Sequence, residues 1–258
     1  MAINLDAVRQ KLQAIQDSQT RKGSSKLWKP SDPVTIVRIL PSKFDSEYPF
    51  TELLFHFIFK KPVISLASFN EADPVVELAE QLKRTGDKAD FIESRKMEPK
   101  TRIYVPIIIR GKEDEGIKYW GFGKEVYQEL LNYISDPDYG DFTDLHEGRD
   151  LTVTFTQAKD SANGFASTSV RLKPNMTPAA TSKDDLKALI EDQVEITSLF
   201  TKPSYDELVG MLEEYVNPAA PNTSDEEKAD TTAVARDVKS VSEIQKDFKK
   251  FFNGSKNK

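Results

Sequence analysis

The apolar residues of this chain are gathered in short, strand-sized runs that end at proline, glycine or charged turns. Three of these runs, residues 34–40 (VTIVRIL), 102–110 (RIYVPIIIR) and 151–157 (LTVTFTQ), are rich in β-branched residues. None approaches the roughly 20 apolar residues that a membrane-spanning helix needs, so no membrane contact is expected. Short strands that are not regularly followed by long helices favour a mainly β fold with helices (α+β). We expect a partly closed barrel rather than a doubly wound sheet.

Further elements follow from local patterns. Asp73-Pro74 predicts a helix that runs to about Arg84, because a carboxylate caps the first turn and proline fits its first position. Ser204-x-x-Glu207 forms a capping box and predicts a helix through Val216. Period-two runs predict strands, and apolar residues at helical spacing predict helices. The remaining predicted strands are 52–59, 117–122 and 165–172, and the remaining helices follow Gly123 and cover 184–195.

The two ends of the chain differ in composition from the middle. Residues 1–26 form a predicted helical and basic arm, with an amphipathic helix over 3–17 and a polar hinge after it. Residues 27–216 hold the predicted core. Residues 217–258 begin as a linker rich in Pro, Ala, Thr and Asp and end in a short predicted amphipathic helix.

Charge is distributed unevenly along the sequence. The formal net charge is −6, but residues 83–112 hold nine basic and four acidic residues, and residues 1–30 hold six basic and two acidic ones. A nucleic acid responds to the local potential of a protein face, so an acidic protein with basic patches can still bind phosphates. The chain has no cysteine, which excludes disulfides, thiolate metal sites and cysteine nucleophiles.

Catalytic candidates are few, and we expect no enzymatic activity. The histidines are His56, within an apolar run, and His146, within an acidic segment. The aspartates of residues 136–144 lack the glycine at the sixth position of an EF-hand loop. A metal-dependent nuclease that uses those aspartates is a distant alternative. No phosphate-binding glycine motif is present in the sequence.

Cationic and aromatic residues alternate in the middle of the chain, as single-strand binding requires. Several of these residues lie on or beside the predicted strands, where cations can contact phosphates and rings can stack on bases. Trp120 and Phe122 share one strand face, so the alternative that both belong to the core remains open. The candidates for DNA contact are Arg38, Lys43, Lys60, Lys96, Lys100, Arg102, Tyr104, Trp120, Phe122, Lys124 and Phe165.

Five blocks in the same order carry a family resemblance. The sequence resembles the helix-destabilising single-stranded DNA-binding protein family of T-even-type bacteriophages over about residues 20–216. The blocks are VTIVRILPSK (34–43), FHFIFKK (55–61), YWGFGKEVYQELLNYI (119–134), EGRDLTVTFTQ (147–157) with NGF (163–165), and DQVEITSLFTKPSYDELVGMLEEYV (192–216).

The resemblance implies an OB-type fold, that is, a partly open five-stranded barrel with helical insertions. It also implies cooperative, sequence-independent binding of single-stranded DNA in phage replication, recombination and repair, within the cytoplasm of the infected bacterial host. The family's groove residues carry over to Arg38, Lys43, Trp120 and Phe165. A second aromatic beyond the glycine-phenylalanine turn is replaced by Thr168.

Zinc is the first departure from the family. The family implies a structural zinc held by one histidine and three cysteines, two of them in a Cys-Pro-x-Cys helix start. Here the histidine is His56, but the helix start is Asp73-Pro74-Val75-Val76. A lone histidine and one aspartate do not make a tetrahedral site, so we expect no metal or other cofactor. Val75, Val76 and Leu78 are expected to pack in its place.

The two ends depart from the family as well. The family's basic Lys/Arg-Ser/Thr cluster, through which neighbouring copies associate along DNA, is represented here by Arg9, Lys11, Arg21 and Lys22. The family's tail is acidic, whereas residues 239–258 carry six lysines and two acidic residues. We expect Ile244, Phe248 and Phe251 to bind a replication or recombination partner. The alternative is an OB-like scaffold that assembles such proteins without strong DNA binding.

Overall fold

The computed structural model describes residues 26–45 and 47–216. The predicted arm helix, its hinge and the tail beyond residue 216 lie outside these residues, as do Arg9, Lys11, Arg21, Lys22, Ile244, Phe248 and Phe251. The chain divides into two compact units. Among the described residues, unit 1 comprises residues 26–52 and 102–199, and unit 2 comprises residues 53–101 and 200–216.

The described residues form eight strands and five α-helices. In chain order the strands are β1 (Leu27–Trp28), β2 (Val34–Ile39), β3 (Thr51–His56), β4 (Val63–Ile64), β5 (Lys100–Ile109), β6 (Lys118–Phe122), β7 (Arg149–Thr156) and β8 (Ser167–Met176). The helices are α1 (Pro74–Arg84), α2 (Lys88–Met97), α3 (Lys124–Ser135), α4 (Lys183–Glu191) and α5 (Tyr205–Val216).

Unit 1 is built on a sheet with the strand order β1-β6-β5-β2-β7-β8. Neighbouring strands are antiparallel except β1 and β6, which are parallel. One face of this sheet carries the core, because successive side chains of a strand point to opposite faces. On β5, Ile103, Val105 and Ile107 join that core, while Arg102, Tyr104 and Pro106 belong to the opposite face, which we call the outer face.

Helix α3 supplies Val126 and Leu130 to the core of unit 1. Part of the outer face is covered by a second, smaller cluster made of Leu40, Ile108, Ala179 and Leu186, the last of these from α4. The stretch of β5 toward Arg102 is only partly buried.

Unit 2 combines the β3–β4 hairpin with α1, α2 and α5. In the hairpin Phe55 pairs with Ile64 and His56 pairs with Val63. Leu78 and Leu82 of α1 pack with Met97 of α2 and Leu212 of α5. The expectation of apolar packing at the start of α1 is met by Val75 and Leu78, which are buried, while Val76 is half-buried.

Most of the predicted elements are confirmed. Helix α1 starts at Pro74 with Asp73 as its cap, and the capping box before α5 is formed in both directions between Ser204 and Glu207. The mixed α+β class is confirmed, whereas the five-stranded OB-type barrel stays a prediction. Helix α2 and the two-residue strands β1 and β4 were not predicted. No helix within residues 26–45 and 47–216 is long and apolar enough to cross a membrane.

Candidate nucleic-acid interface

Arg102 and Tyr104 lie side by side on the outer face of unit 1, two residues apart on β5 and so about 7 Å from each other along the strand. Both side chains are half-buried. The registers place Tyr104 opposite Gly121 of β6. A cation and an aromatic ring on one strand face are the pair of groups that single-stranded DNA contacts through phosphate and base.

Gly121 of β6 makes room for the ring of Tyr104, and Gly123 lies next to Arg102. A Cβ at Gly121 would come within 2.4 Å of Cε1 of Tyr104, so only glycine lets the ring lie against the strand. At Gly123, just after β6, a Cβ would lie 3.6 Å from Nη1 of Arg102, an ordinary contact. We call Arg102, Tyr104, Gly121 and Gly123 the glycine-floored strip.

The electrostatics of the strip suit a polyanion. Burial raises the pKa of the Tyr104 hydroxyl, and the nearby Arg102 only partly opposes this, so the phenol stays neutral at physiological pH. Lys124 begins α3 immediately after Gly123 and is exposed. The strip therefore presents a neutral ring and one cation, and Lys124 adds a second cation next to Gly123.

Phe44 is an aromatic candidate that the sequence reasoning did not include. Its ring is 57% exposed in the loop after β2, and Nζ of Lys43 lies 5.9 Å from the ring centroid. The backbone of Lys43 donates to the Gln193 side chain at 3.0 Å, and its Nζ donates to the carbonyl of Glu191 at 2.7 Å. The proline and serine before Lys43 signalled a turn, which is where an exposed ring could have been looked for.

A cleft of about 190 Å³ lies between this loop and β5. Phe44, Pro106 and Thr51 line it together with residues 193–197. Pro106 follows Tyr104 on the same face of β5, and its partner in the register is Tyr119. Phe44 and Pro106 thus line one cleft of unit 1, and Tyr104 lies two residues before Pro106 on the same face of β5.

Phe165 lies in the connection between β7 and β8, and 74% of it is exposed. Gly164 adopts a left-handed conformation (φ 73°), and the Asn163 side chain accepts a hydrogen bond from the backbone N–H of Phe165 at 3.1 Å. These two features set the turn that holds the ring away from the sheet. This ring, a candidate DNA contact from the sequence, is therefore exposed and outside the core.

Trp120 and Phe122 are buried in the core of unit 1, at 1% and 4% exposure. Their ring centroids are 4.7 Å apart, and Trp120 also contacts the ring of Trp28 edge-on at 5.6 Å. Neither ring offers a face to a base in this structure. The sequence left open whether these two rings contact DNA or belong to the core, and in the structure both lie in the core.

Arg38 is fully buried beneath the outer face. Its Nε donates to Oδ1 of Asp150 at 2.9 Å, and its guanidinium also bonds the carbonyl of Asp144 and the side chain and carbonyl of Thr177. Burial lowers its pKa, which the hydrogen bond and the charge of Asp150 oppose. Arg38 thus ties β2 to β7 and to two loops instead of lining a groove.

Three of the predicted contacts belong to unit 2. Lys60 and Lys100 are exposed, the first just beyond β3 and the second at the start of β5. Lys96 is exposed on α2, and its Nζ bonds Oε2 of Glu93 at 2.7 Å.

The acidic segment 136–144 folds into turns. Asp136, Asp141 and Asp144 each accept backbone N–H bonds from the residues that follow them, as in Asx turns. Within the described part of the chain no three His, Cys, Asp or Glu side chains are grouped so that they could hold a metal ion. This arrangement gives no support to the nuclease alternative.

The zinc that the family resemblance implies does not fit the residues present. The chain has no cysteine. Nε2 of His56 lies 2.9 Å from Oδ2 of Asp73, and its Nδ1 lies 3.2 Å from the carbonyl oxygen of Met97, so both ring nitrogens already have protein partners. A structural zinc needs four ligands, and among the residues that the structure describes no third His, Cys, Asp or Glu side chain is grouped with His56 and Asp73 to hold one.

Comparison with known proteins gives one family match. A family model described as "gp32 DNA binding protein like" matches residues 31–218, well over half of the chain. The matched range covers parts of both units and includes every candidate DNA contact named above. A search of the curated proteins finds no match to this chain.

Proposed function

Since this chain belongs to the gp32 DNA-binding protein-like family, we propose that it binds single-stranded DNA without sequence preference and has no enzymatic activity. The observation that carries the proposal is the glycine-floored strip, where Arg102 and the neutral ring of Tyr104 share one face of β5. The exposed rings of Phe44 and Phe165 and the exposed Lys43 and Lys124 add the same two kinds of group to unit 1.

Binding of this kind needs few contacts. Each base stacked on an aromatic ring contributes about 1–3 kcal/mol, and every base has a flat face, so stacking does not select a sequence. Each phosphate contact adds affinity that falls with salt. Two or three stacked bases and a few phosphates are therefore enough for useful affinity.

The proposed contacts of unit 1 are Lys43, Phe44, Arg102, Tyr104, Lys124 and Phe165. Lys60, Lys96 and Lys100 are proposed to contact phosphates from unit 2. Arg38, Trp120 and Phe122 are proposed to act indirectly, by holding β2 and β6 in place beneath the contacting residues. The OB-type fold, a partly open five-stranded barrel, is also part of this proposal.

The proposal for the protein's biological role is based on the family relationship. We place the protein on single strands during phage replication, recombination and repair in the cytoplasm of the infected bacterium. Neighbouring copies are proposed to associate along the strand through the arm that carries Arg9, Lys11, Arg21 and Lys22. The tail with Ile244, Phe248 and Phe251 is proposed to bind a replication or recombination protein.

The test of the central proposal is a salt series. Anisotropy of a labelled oligo-dT and of a duplex of equal length is measured from low to physiological salt. We expect tight binding of oligo-dT, much weaker binding of the duplex, and a log–log slope of about −0.7 for each phosphate contacted. Because Trp120 is buried, we do not expect its fluorescence to report DNA binding. The fluorescent label is therefore attached to the DNA. Equal affinity for both forms would contradict single-strand preference.

Cooperativity needs a separate experiment. Deleting residues 1–20 should leave binding to an oligonucleotide that holds one protein copy unchanged, and should weaken binding to one that holds many. The two lengths separate contact between copies from contact with DNA. Unchanged cooperativity on the long oligonucleotide would remove Arg9, Lys11 and the predicted 3–17 helix from the proposal.

The scaffold alternative makes the opposite prediction for DNA. A module that only assembles other proteins would bind neither oligo-dT nor duplex at low salt. The salt series therefore distinguishes the two functions by itself.

A further inference from the structure

Asp73 of unit 2 is buried, with 3% exposure, and accepts five hydrogen bonds. Its Oδ1 accepts from the backbone N–H groups of Val75 at 2.9 Å and Val76 at 3.3 Å, the first turn of α1. Its Oδ2 accepts from Oγ of Ser65 at 2.5 Å and from the backbone N–H of Leu66 at 2.9 Å. The fifth bond joins Oδ2 to Nε2 of His56 at 2.9 Å. One carboxylate thus connects three segments of the unit.

His56 is fully buried, and each of its ring nitrogens faces an oxygen that can only accept. Nε2 faces the Asp73 carboxylate, and Nδ1 faces the carbonyl oxygen of Met97 at 3.2 Å. A neutral imidazole has one N–H, whereas the charged imidazolium has two. Both ring nitrogens can therefore donate a hydrogen bond to their acceptor oxygens only when each carries a proton. His56 is then a cation and forms an ion pair with the Asp73 carboxylate.

The ends of two helices favour the same charges. Asp73 caps the N-terminus of α1, where the helix dipole favours an anion. Met97 is the last residue of α2, where the helix dipole favours a cation, and its carbonyl is the one that His56 contacts. Each charge of the pair thus lies at the helix end of opposite sign, which offsets part of the cost of burying it.

We propose that the His56–Asp73 ion pair replaces a structural metal ion in this protein, so that unit 2 folds without zinc. The pair joins β3, the residues after β4, the start of α1 and the end of α2, which are the kinds of connection that a metal ion makes through its ligands. Val75 and Leu78 fill the adjacent space with apolar side chains. The proposal concerns folding and does not depend on the DNA-binding proposal.

The first test concerns metal content. Purified full-length protein is assayed for zinc, and its thermal unfolding is followed with and without a strong chelator. We expect far less than one zinc per chain and the same Tm in both samples. Stoichiometric zinc, or a Tm that the chelator lowers, would overturn the proposal.

The second test is a double-mutant cycle on the pair. Asp73→Asn keeps a good helix cap but removes the charge, and His56→Leu removes the cation. Each single variant leaves one buried polar partner without its match, so we expect Tm to fall by about 6–20 °C. The double variant should lose clearly less than the sum of the two single losses. Additive losses would show that the two residues do not act as a pair.

A matched control separates the pair from ordinary capping. Asp87 caps α2 in the same way that Asp73 caps α1, but it is exposed. Asp87→Asn should therefore change Tm by no more than about 2 °C. A loss as large as that of Asp73→Asn would mean that helix capping accounts for the effect.

A third measurement serves if the single variants do not fold. His146→Gln removes an exposed histidine and leaves His56 as the sole histidine of the chain. Nitrogen NMR of the folded protein at neutral pH then reports on one ring. We expect both ring nitrogens to carry protons, and a ring with a single N–H would overturn the ion pair.

Discussion

The ring of Tyr104 lies against Gly121 so closely that a Cβ at residue 121 would come within 2.4 Å of its Cε1. The two residues are direct partners in the register of β5 and β6. A side chain at position 121 would push the ring off the strand. The position of the ring therefore depends on glycine at its partner.

Gly121→Ala is expected to weaken oligo-dT binding about tenfold, because displacing Tyr104 removes one stacking position. The anisotropy titration described above measures the loss. Gly123→Ala is the matched control, since its Cβ would make an ordinary 3.6 Å contact with Arg102, and we expect its affinity to stay within about twofold of the wild type. Equal binding by both variants would exclude Tyr104 from the interface.

Phe165→Ala is expected to lower oligo-dT affinity about fivefold or more while leaving Tm unchanged, because its ring is exposed and packs little against the protein. Phe91→Ala in α2 is the control, as its side chain is also exposed but is not a proposed DNA contact.

In contrast, Trp120→Ala should lower the free energy of unfolding by about 3–5 kcal/mol, because it leaves a cavity in the core. Urea unfolding and the DNA titration together separate these outcomes.

Arg38→Met is expected to reduce the free energy of unfolding by about 3–5 kcal/mol, because it leaves Asp150 without one of its buried cationic partners. The salt slope of DNA binding should not change in the protein that remains folded. Lys124→Ala should leave the free energy of unfolding unchanged and reduce the magnitude of the salt slope of DNA binding by about 0.7. A smaller slope for the Arg38 variant would show that this guanidinium reaches a phosphate.

The stability of unit 2 is expected to fall in acid because of Asp73. Burial raises the pKa of its carboxyl, but the hydrogen bonds from His56 and Ser65 and the charge of His56 lower it more, to about 2 from 3.8. A carboxyl whose pKa is lower in the folded state stabilises the fold above its unfolded pKa. This stabilisation, about 2 kcal/mol, is lost as the pH falls from about 4 toward 2. Urea unfolding at pH 5 and pH 2.5 measures it.

The same acid series on Asp73→Asn provides the control for that prediction. The variant has no carboxyl at this position, so its stability should change less between the two pH values than that of the wild type. The difference between the two proteins isolates Asp73 from the other carboxylates. An identical pH dependence would show that Asp73 titrates alike in the folded and unfolded states.

The secondary structure was largely predictable because its signals are local. The cap and proline at Asp73-Pro74 and the alternation in residues 151–157 each specify an element through neighbouring residues. Helix α2 was missed because the face that it buries is partly polar. Asp90, Glu93 and Ser94 are buried there while Phe91 and Ile92 are exposed, the reverse of the apolar stripe that periodicity detects.

The sequence predicted which types of residue the candidate site contains, cations and aromatic rings, but not which individual residues are exposed there. Tyr104 and Trp120 are both strand aromatics near cations, and nothing in their local sequence separates them. Their exposures differ because the side chain of Trp120 points into the core, whereas that of Tyr104 points to the outer face. Phe44 was missed because a single ring in a loop has no periodicity to mark it.

The sequence by itself determined the α+β class, most of the helices and strands, the absence of cysteine ligands and the family. Each of these depends on residue type and on spacing along the chain. Only the tertiary structure decided which rings and cations reach the surface and that His56 pairs with Asp73. Burial and pairing depend on what lies across from a residue in space, and those partners come from distant parts of the chain, as Arg38 and Asp150 do.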